Sequence, residues 1–428
     1  MAMGLFRMSG WHPRAIDTRN PAPRYQTSFA RRACAGVLSA VAGFCVAIFP
    51  LTVAGESGPD PLHRQDATGK VEQLPERPAA HWVWVLDAAL SSMPDGRAYL
   101  FDADSGTALG SLNTGYSFVA FALPRAYRDI YSAETYYSRH TRGVRTDVVS
   151  VYDPVTLSSK FEIALPAKRA STIPRLNDSA LTDDDRFMAV FNLTPATSLS
   201  IVDTRSRKLV SEINIPGCSL AFPTGTRAFL SLCFNGGALV TELNDDGSMA
   251  RQARVEKIFD SEGDFIADYG ARAGNQWLFP SLNGNLFPLQ TAGGLIKPDR
   301  PWTLMSDAER AAGWRMSGFH GVAVHASRNE LFLLLHQGAL DSYKDSGTEV
   351  WVYDIGKQAR LRRIPLAHPA VAIGVSQDQD AILVALDMPG QQLDVYTAAD
   401  GTHLRTIAEA GITPALVQFP WQPGAAGK

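Results

Sequence analysis

Val149-Ser150-Val151-Tyr152-Asp153-Pro154 is a strand that stops abruptly: β-branched and aromatic residues around one small polar residue, then an aspartate and a proline that turn the chain. Related phrases end at Leu100-Phe101-Asp102, Ile201-Val202-Asp203, Val240-Thr241-Glu242-Leu243, Leu286-Phe287-Pro288-Leu289, Val352-Tyr353-Asp354 and Leu393-Asp394-Val395-Tyr396, which makes seven in all. Their spacing is close to that of one blade in a radial β-repeat. Around these phrases the chain keeps one order of strand and turn. Strand character begins at His81-Trp82-Val83-Trp84-Val85-Leu86, Pro94-Asp95-Gly96 turns into Ala98-Tyr99-Leu100-Phe101, and Asp104-Ser105-Gly106 turns again into Ala108-Leu109-Gly110-Ser111-Leu112. Later, the polar turns at Thr182-Asp183-Asp184-Asp185 and Ser376-Gln377-Asp378-Gln379-Asp380 feed Phe187-Met188-Ala189-Val190-Phe191 and Ala381-Ile382-Leu383-Val384-Ala385-Leu386.

This is an all-β pattern, and the expected architecture is a seven-bladed β-propeller over residues 81–428, with a two-sheet sandwich as the competing arrangement. A ring must close, and Ala415-Leu416-Val417-Gln418-Phe419 is a lone final strand suited to complete the first or last blade. Two stretches interrupt the spacing. Residues 123–145 are rich in Tyr and Arg and read as an insertion. Residues 301–320 carry the one convincing helix, started by the capping box Ser306-Asp307-Ala308-Glu309 and stopped by Gly313. Insertions of this kind project from one face of a propeller, where partners dock.

With 428 residues, 45% of them hydrophobic, the chain can bury a large core. Only 19% are charged and the formal net charge is −3, so no basic field exists to hold a nucleic-acid backbone, and no nucleic-acid partner is expected. The N-terminus carries Arg7, Arg14, Arg19, Arg24, Arg31 and Arg32 against the single acid Asp17, then runs uncharged from residue 33 to 55 and ends in Val53-Ala54-Gly55. Residues 1–55 therefore read as an export signal, with Arg31-Arg32 a weak twin-arginine pair; a retained membrane anchor is the alternative, since the apolar run is long enough to span a bilayer. Losing those six arginines and one acid leaves 34 basic and 42 acidic residues, a net of −8. Residues 56–80, rich in Pro, Gly and charge without period, read as a flexible arm. The expected location is periplasmic.

Cys34 and Cys45 lie in the export segment, which leaves Cys218 and Cys233 as the pair in an exported chain. They flank a strand-turn-strand stretch and should be bonded, stabilising by about 3 kcal/mol on loop-entropy grounds. Two separate buried thiols are the plainer reading. Without Cys-x-x-Cys spacing, a metal or catalytic role has little support.

The usual enzyme fingerprints are missing. Gly115-Tyr116-Ser117-Phe118-Val119 fails as a nucleophile elbow at its last position, and no Walker or dinucleotide motif follows a strand. His320, His325 and His336 lack metal-ligand spacing and read as structural or surface residues. The run of Tyr127, Arg128, Tyr131, Tyr136, Tyr137, Arg139, Arg142 and Arg145 has the residue types of a single-strand-binding surface. In a net-acidic exported chain it reads instead as a protein-contact surface with aromatic anchors, or as a solvated insertion.

Over essentially the whole mature length the chain resembles the heavy subunit of the quinoprotein amine dehydrogenases, the methylamine and aromatic (aralkyl) amine dehydrogenases. The resemblance rests on Thr141-Arg142-Gly143 with Asp147-Val148-Val149 and Val151-Tyr152-Asp153; Pro195-Ala196-Thr197-Ser198 with Ile201-Val202-Asp203; the Cys218 and Cys233 pair; the segment from Trp302 through Trp314 with Gly318; and Gln418-Phe419. Pro195-Ala196-Thr197-Ser198 and Gln418-Phe419 look more like the aralkylamine branch. One departure is Ser317, where the family pattern has a glycine.

The resemblance implies a propeller without a cofactor of its own. In that family the redox centre, tryptophan tryptophylquinone, is built in a small cysteine-rich light subunit, and two heavy and two light chains form the enzyme. Eight tryptophans but only two mature cysteines rule this chain out as the light subunit. The implied task is to cradle the light chain, wall the channel taken by a primary amine, and help present the quinone to a blue-copper acceptor, azurin- or amicyanin-like. No catalytic residue and no metal ligand is assigned. By the family's pattern Tyr116, after Thr114-Gly115, borders the substrate channel; a tyrosine packed between blades is the plainer reading. A stand-alone binding propeller and a propeller hydrolase remain the competing functions.

Overall fold

The computed structural model describes residues 72–117, 120–292 and 294–420. The expected export segment 1–55, the arm as far as residue 71, and Phe118 and Val119 lie outside the described residues.

Seven sheets follow one another along the chain, each antiparallel, and together they form the expected seven-bladed β-propeller. The third blade shows the plain unit: Ser179–Leu181 innermost, then Phe187–Asn192, Ser198–Asp203 and Lys208–Asn214 outward. All seven of the phrases quoted above fall in the third strand from the axis, as in Arg97–Asp102, Arg142–Tyr152 and Gln392–Thr397. That strand is largely buried between neighbouring blades and ends in an acid or turn residue in most of them, which makes it recognisable.

The second strand of the first blade shows how the core is shared. Trp82–Asp87 is buried along its whole length. Trp84 and Leu86 point into the core held in common with the second blade, and Val83 and Val85 into that of the seventh. Outer strands such as Thr107–Asn113 and Met249–Val255 are largely exposed.

The ring closes through the last strand. Pro414–Gln418 pairs antiparallel with Trp82–Asp87, setting Val417 opposite Val85 and Leu416 opposite Leu86, and becomes the innermost strand of the first blade. Buried Asp87 locks this seam: its carboxylate accepts the N–H groups of Ala89 at 2.7 Å, Ile412 at 2.6 Å and Thr413 at 2.9 Å.

The helix is Asp307–Ala311, with both halves of the Ser306/Glu309 capping box formed and Gly313 at φ +84°. Ser317 is accommodated beside the left-handed turn, which Gly318 takes at φ +81°. Cys218 and Cys233 are bonded, directly opposite one another on adjacent strands of the fourth blade.

Residues 123–145 differ from expectation. Most of the stretch is regular strand, in the hairpin Ile130–Arg139 and Arg142–Tyr152 of the second blade, 10 and 11 residues long against 6 and 6 for the matching strands of the third. The outer half of the hairpin rises past the body of the sheet with both faces wet, so no apolar alternation marks it in the sequence. Of the expected arm, residues 72–80 are described, and Leu74 donates its N–H to Val155 O at 2.9 Å and packs on the first-blade core.

Candidate functional site

The inner strands run parallel around the axis, as the parallel bridge between His320 and Ala372 illustrates. Links from an outer strand to the next inner strand, and links from second to third strands, therefore emerge together on one face, called upper here. Exposed large apolar side chains gather there: Leu90, Val144, Leu193, Phe234, Leu340 and Ile412, with Phe234 78% and Val144 72% accessible. The lower mouth is tied across. Asp183 of the third blade accepts Arg125, beside the second blade, at 2.9 Å and Arg272, from the inner strand of the fifth, at 2.5 Å.

Tyr116 stands on the upper face, in the link from the first blade to the second. Its N–H is held by Thr135 O at 2.8 Å, and Ser117 N–H by Met93 O at 2.7 Å. Gly115, at φ +70°, leaves no room for a side chain: a Cβ would sit 2.8 Å from Thr135 O. The Tyr116 ring is half-buried and meets Tyr137 edge to face, centroids 5.3 Å apart, while its hydroxyl, among the described residues, reaches only the weak acceptor Met93 Sδ, at 3.8 Å. It is thus neither sealed in the core nor free of it.

Beneath the hairpin lies Glu134, fully buried, whose carboxyl accepts the hydroxyls of Tyr136 at 2.6 Å, Tyr152 at 2.9 Å and Ser150. Burial raises its pKa against the pull of these donors. Beside it Asp147 takes a bidentate Arg145, the Arg169 N–H at 2.9 Å and the Thr135 hydroxyl at 2.8 Å. These groups hold the hairpin base and the Tyr116 loop as one rigid piece.

At the upper mouth of the channel a second polar group draws on several blades. Lys344 pairs with Asp268 at 2.7 Å and lies over the Tyr269 ring, and Arg175 pairs with buried Asp178 at 3.3 Å. Burial lifts the Asp178 carboxyl to about 6, against Arg175 and Arg169. The His320 ring meets that of Tyr269 at a tilt, centroids 5.5 Å apart, its buried Nδ1 has no hydrogen-bond partner among the described residues, and burial pulls its pKa down to about 4. The other two histidines are structural: His325 Nε2 meets Asp378 O at 2.9 Å, and His336 bridges Ser317 and Ser342. Among the described residues no group of three or more His, Cys, Asp or Glu is arranged to hold a metal.

A family model described as "Methylamine dehydrogenase heavy chain (MADH)" matches residues 79–419. The chain belongs to the methylamine dehydrogenase heavy chain family. Relatives include the methylamine dehydrogenase heavy chain of Methylophilus methylotrophus, 29% identical over 338 residues, covering 78% of this chain and 82% of that one. The corresponding chain of Methylobacillus flagellatus is 27% identical over 320 residues, covering 74% of this chain and 80% of that one. Among solved structures, the β-propeller domain of a Myceliophteria thermophila protein superposes with a TM-score of 0.51 at 11% identity, covering 72% of this chain and 92% of that one, a likeness of fold alone. As a methylamine dehydrogenase heavy chain homologue, this propeller belongs to an amine dehydrogenase oxidoreductase family, and its place as the heavy chain implies a light partner subunit.

Sequence reasoning found the disulfide and put Tyr116 forward as a channel residue, but it did not find Glu134, Arg169, Asp178 and His320 as a buried polar set. Arg169, Asp178 and His320 lie in links, where a charged or polar residue reads as solvated, and Glu134 lies mid-strand in Ile130–Arg139.

Proposed function

We propose that this chain is the heavy subunit of a periplasmic amine dehydrogenase that oxidatively deaminates primary amines, aromatic or aralkyl amines above all, to aldehyde and ammonia, with electrons leaving to a blue-copper protein of azurin or amicyanin type. The light subunit would sit on the upper face, in an assembly of two heavy and two light chains. Its tryptophan tryptophylquinone would supply the reactive carbonyl and accept the two electrons. This chain's own contribution is to position, enclose and select.

The observation that carries the reading is the setting of Tyr116. A half-buried ring, backed by Tyr137 and fixed through its own N–H, stands on the face where apolar side chains are left uncovered. A rigid aromatic edge there favours a flat, apolar amine over a small one by contact area. The sequence features Pro195-Ala196-Thr197-Ser198 and Gln418-Phe419 support the same preference. All four groups around Tyr116, namely Met93, Thr135, Tyr137 and Gly115, position it and none exchanges a proton with substrate.

The test is co-expression with a small cysteine-rich subunit, followed by the visible spectrum and amine-dependent dye reduction with phenylethylamine and methylamine. The expected result is quinone absorbance and a higher kcat/KM for the aromatic amine. Tyr116→Ala should narrow that preference. Methylamine ranking first would remove the aromatic assignment, an unchanged ranking in Tyr116→Ala would remove the gate, and a propeller that purifies alone would favour a stand-alone binding module.

A further inference from the structure

The hairpin of the second blade ends in an arrangement that is unfavourable in isolation. Its strands Ile130–Arg139 and Arg142–Tyr152 outrun the sheet, and at the tip Arg139 and Arg142 stand directly opposite one another in the pairing register. Like charges facing across two strands repel. Many arginines of the described residues have a carboxylate within ion-pair distance, among them Arg97, Arg186, Arg227, Arg251, Arg360 and Arg363. Neither tip arginine has one among the described residues, and exposed His140 lies between them.

The tip is nonetheless built rather than frayed. Ser138 Oγ accepts the Val144 N–H at 3.0 Å, Thr141 N–H bonds Arg139 O at 2.8 Å, and Gly143 takes φ +106° where a Cβ would strike Ser138 Oγ. Below it the strands are anchored by Tyr136 on Glu134 and Arg145 on Asp147. A firm, cationic projection with Val144 exposed at its side thus stands on the upper face of a chain whose net charge over residues 56–428 is −8.

We propose that this tip is a basic finger that grips a carboxylate-bearing patch on the light subunit. The inference rests on the reading that a light subunit occupies the upper face, and goes further in naming the residues and the charge of their counterpart. A carboxylate set between Arg139 and Arg142 converts their repulsion into two attractions, and charges at such a rim act mainly on association rate and salt dependence.

The experiment compares full-length wild type, Arg139→Glu/Arg142→Glu and Arg139→Gln/Arg142→Gln for binding to the purified small subunit from about 50 to about 500 mM salt, with the thermal midpoint of each free heavy chain. Expected are a wild-type affinity that falls with salt, a loss of about tenfold or more at low salt in the Glu pair, a smaller loss in the Gln pair, and a flattened salt slope in both. The free-chain midpoint should be unchanged or higher in the Gln pair, where repulsion is relieved, and close to wild type in the Glu pair, which exchanges one like-charge pair for another. Wild-type affinity and slope in both variants would overturn the finger while leaving the subunit reading intact; midpoints lowered in both would make the arginines structural and overturn it too. A wild-type chain that does not bind the small subunit would remove the subunit reading and the finger together.

Discussion

Removing the Asp87 carboxylate should loosen the ring at its seam. Three backbone N–H groups, of Ala89, Ile412 and Thr413, converge on it, two of them from the segment that carries the closing strand. In Asp87→Ala all three lose their acceptor in a buried place, a cost of about 3–5 kcal/mol. Asp87→Asn keeps Oδ1, which serves Ala89 and Thr413, but turns an amide toward the Ile412 N–H, costing about 1–3 kcal/mol. For a domain of about 350 residues the unfolding entropy is about 0.7 kcal/mol/K, so the thermal midpoint should fall by about 4–7 °C in the alanine variant and about 1–4 °C in the asparagine variant. Thermal unfolding followed by circular dichroism measures both. Paired with Leu416→Ala on the closing strand, the loss should be less than additive, because both changes act on one seam. A midpoint unchanged in Asp87→Ala, or strict additivity with Leu416→Ala, would refute the idea that this carboxylate holds the ring shut.

Three further outcomes are expected. Cys218→Ser should lower the midpoint by several degrees in an oxidising buffer, the effect of losing about 3 kcal/mol from a bridge that spans 15 residues; reduction of the wild type should reproduce it. Asp178 and His320 should oppose one another in acid. The raised Asp178 pKa, about 6, means the folded state binds its proton more tightly than the unfolded state does, so that group's penalty is fully present above pH 6 and fades toward pH 4. The depressed His320 pKa, about 4, works the other way, its contribution being full above the unfolded value of about 6.5 and lost as pH falls to 4. Asp178→Asn should therefore lose stability more steeply than wild type between pH 6.5 and 4, and His320→Asn less steeply, in denaturant titrations at each pH; parallel curves would count against both assignments. Gly115→Ala, forced to φ +70° with its Cβ against Thr135 O, should destabilise by more than about 1 kcal/mol and disturb the Tyr116–Tyr137 contact, visible as a change in tyrosine fluorescence.

The propeller was legible because its third strands are packed between blades: Val149 to Tyr152 and Leu393 to Tyr396 are mostly β-branched, aromatic or aliphatic, and Asp153 or, in the last blade, Thr397 marks the bend that follows. The closing strand, the capped helix and the disulfide were legible for similarly local reasons. The long hairpin was not, since Tyr136, Arg139 and Arg142 face water on strands whose pairing, not burial, keeps them extended. The channel-mouth group was hidden for a different reason: Asp178, Asp268, His320 and Lys344 come from different links, and only closing the ring brings them together. Nothing in their local sequence separates them from solvated charge.

Because the first blade borrows its innermost strand from the far end, the ribosome must finish the chain before the inner edge of Trp82–Asp87 has a mate: Asp87 waits for Thr413, 326 positions downstream. Until then an unbroken apolar edge, Trp-Val-Trp-Val-Leu-Asp, has open hydrogen-bonding groups and invites pairing with any other unfinished copy. Late closure of so distant a contact is also slow. Premature termination near the C-terminus should thus yield clumping rather than a slightly weakened protein, and a bulky fusion placed directly after Gln418 should do more harm in production than one placed ahead of the first blade.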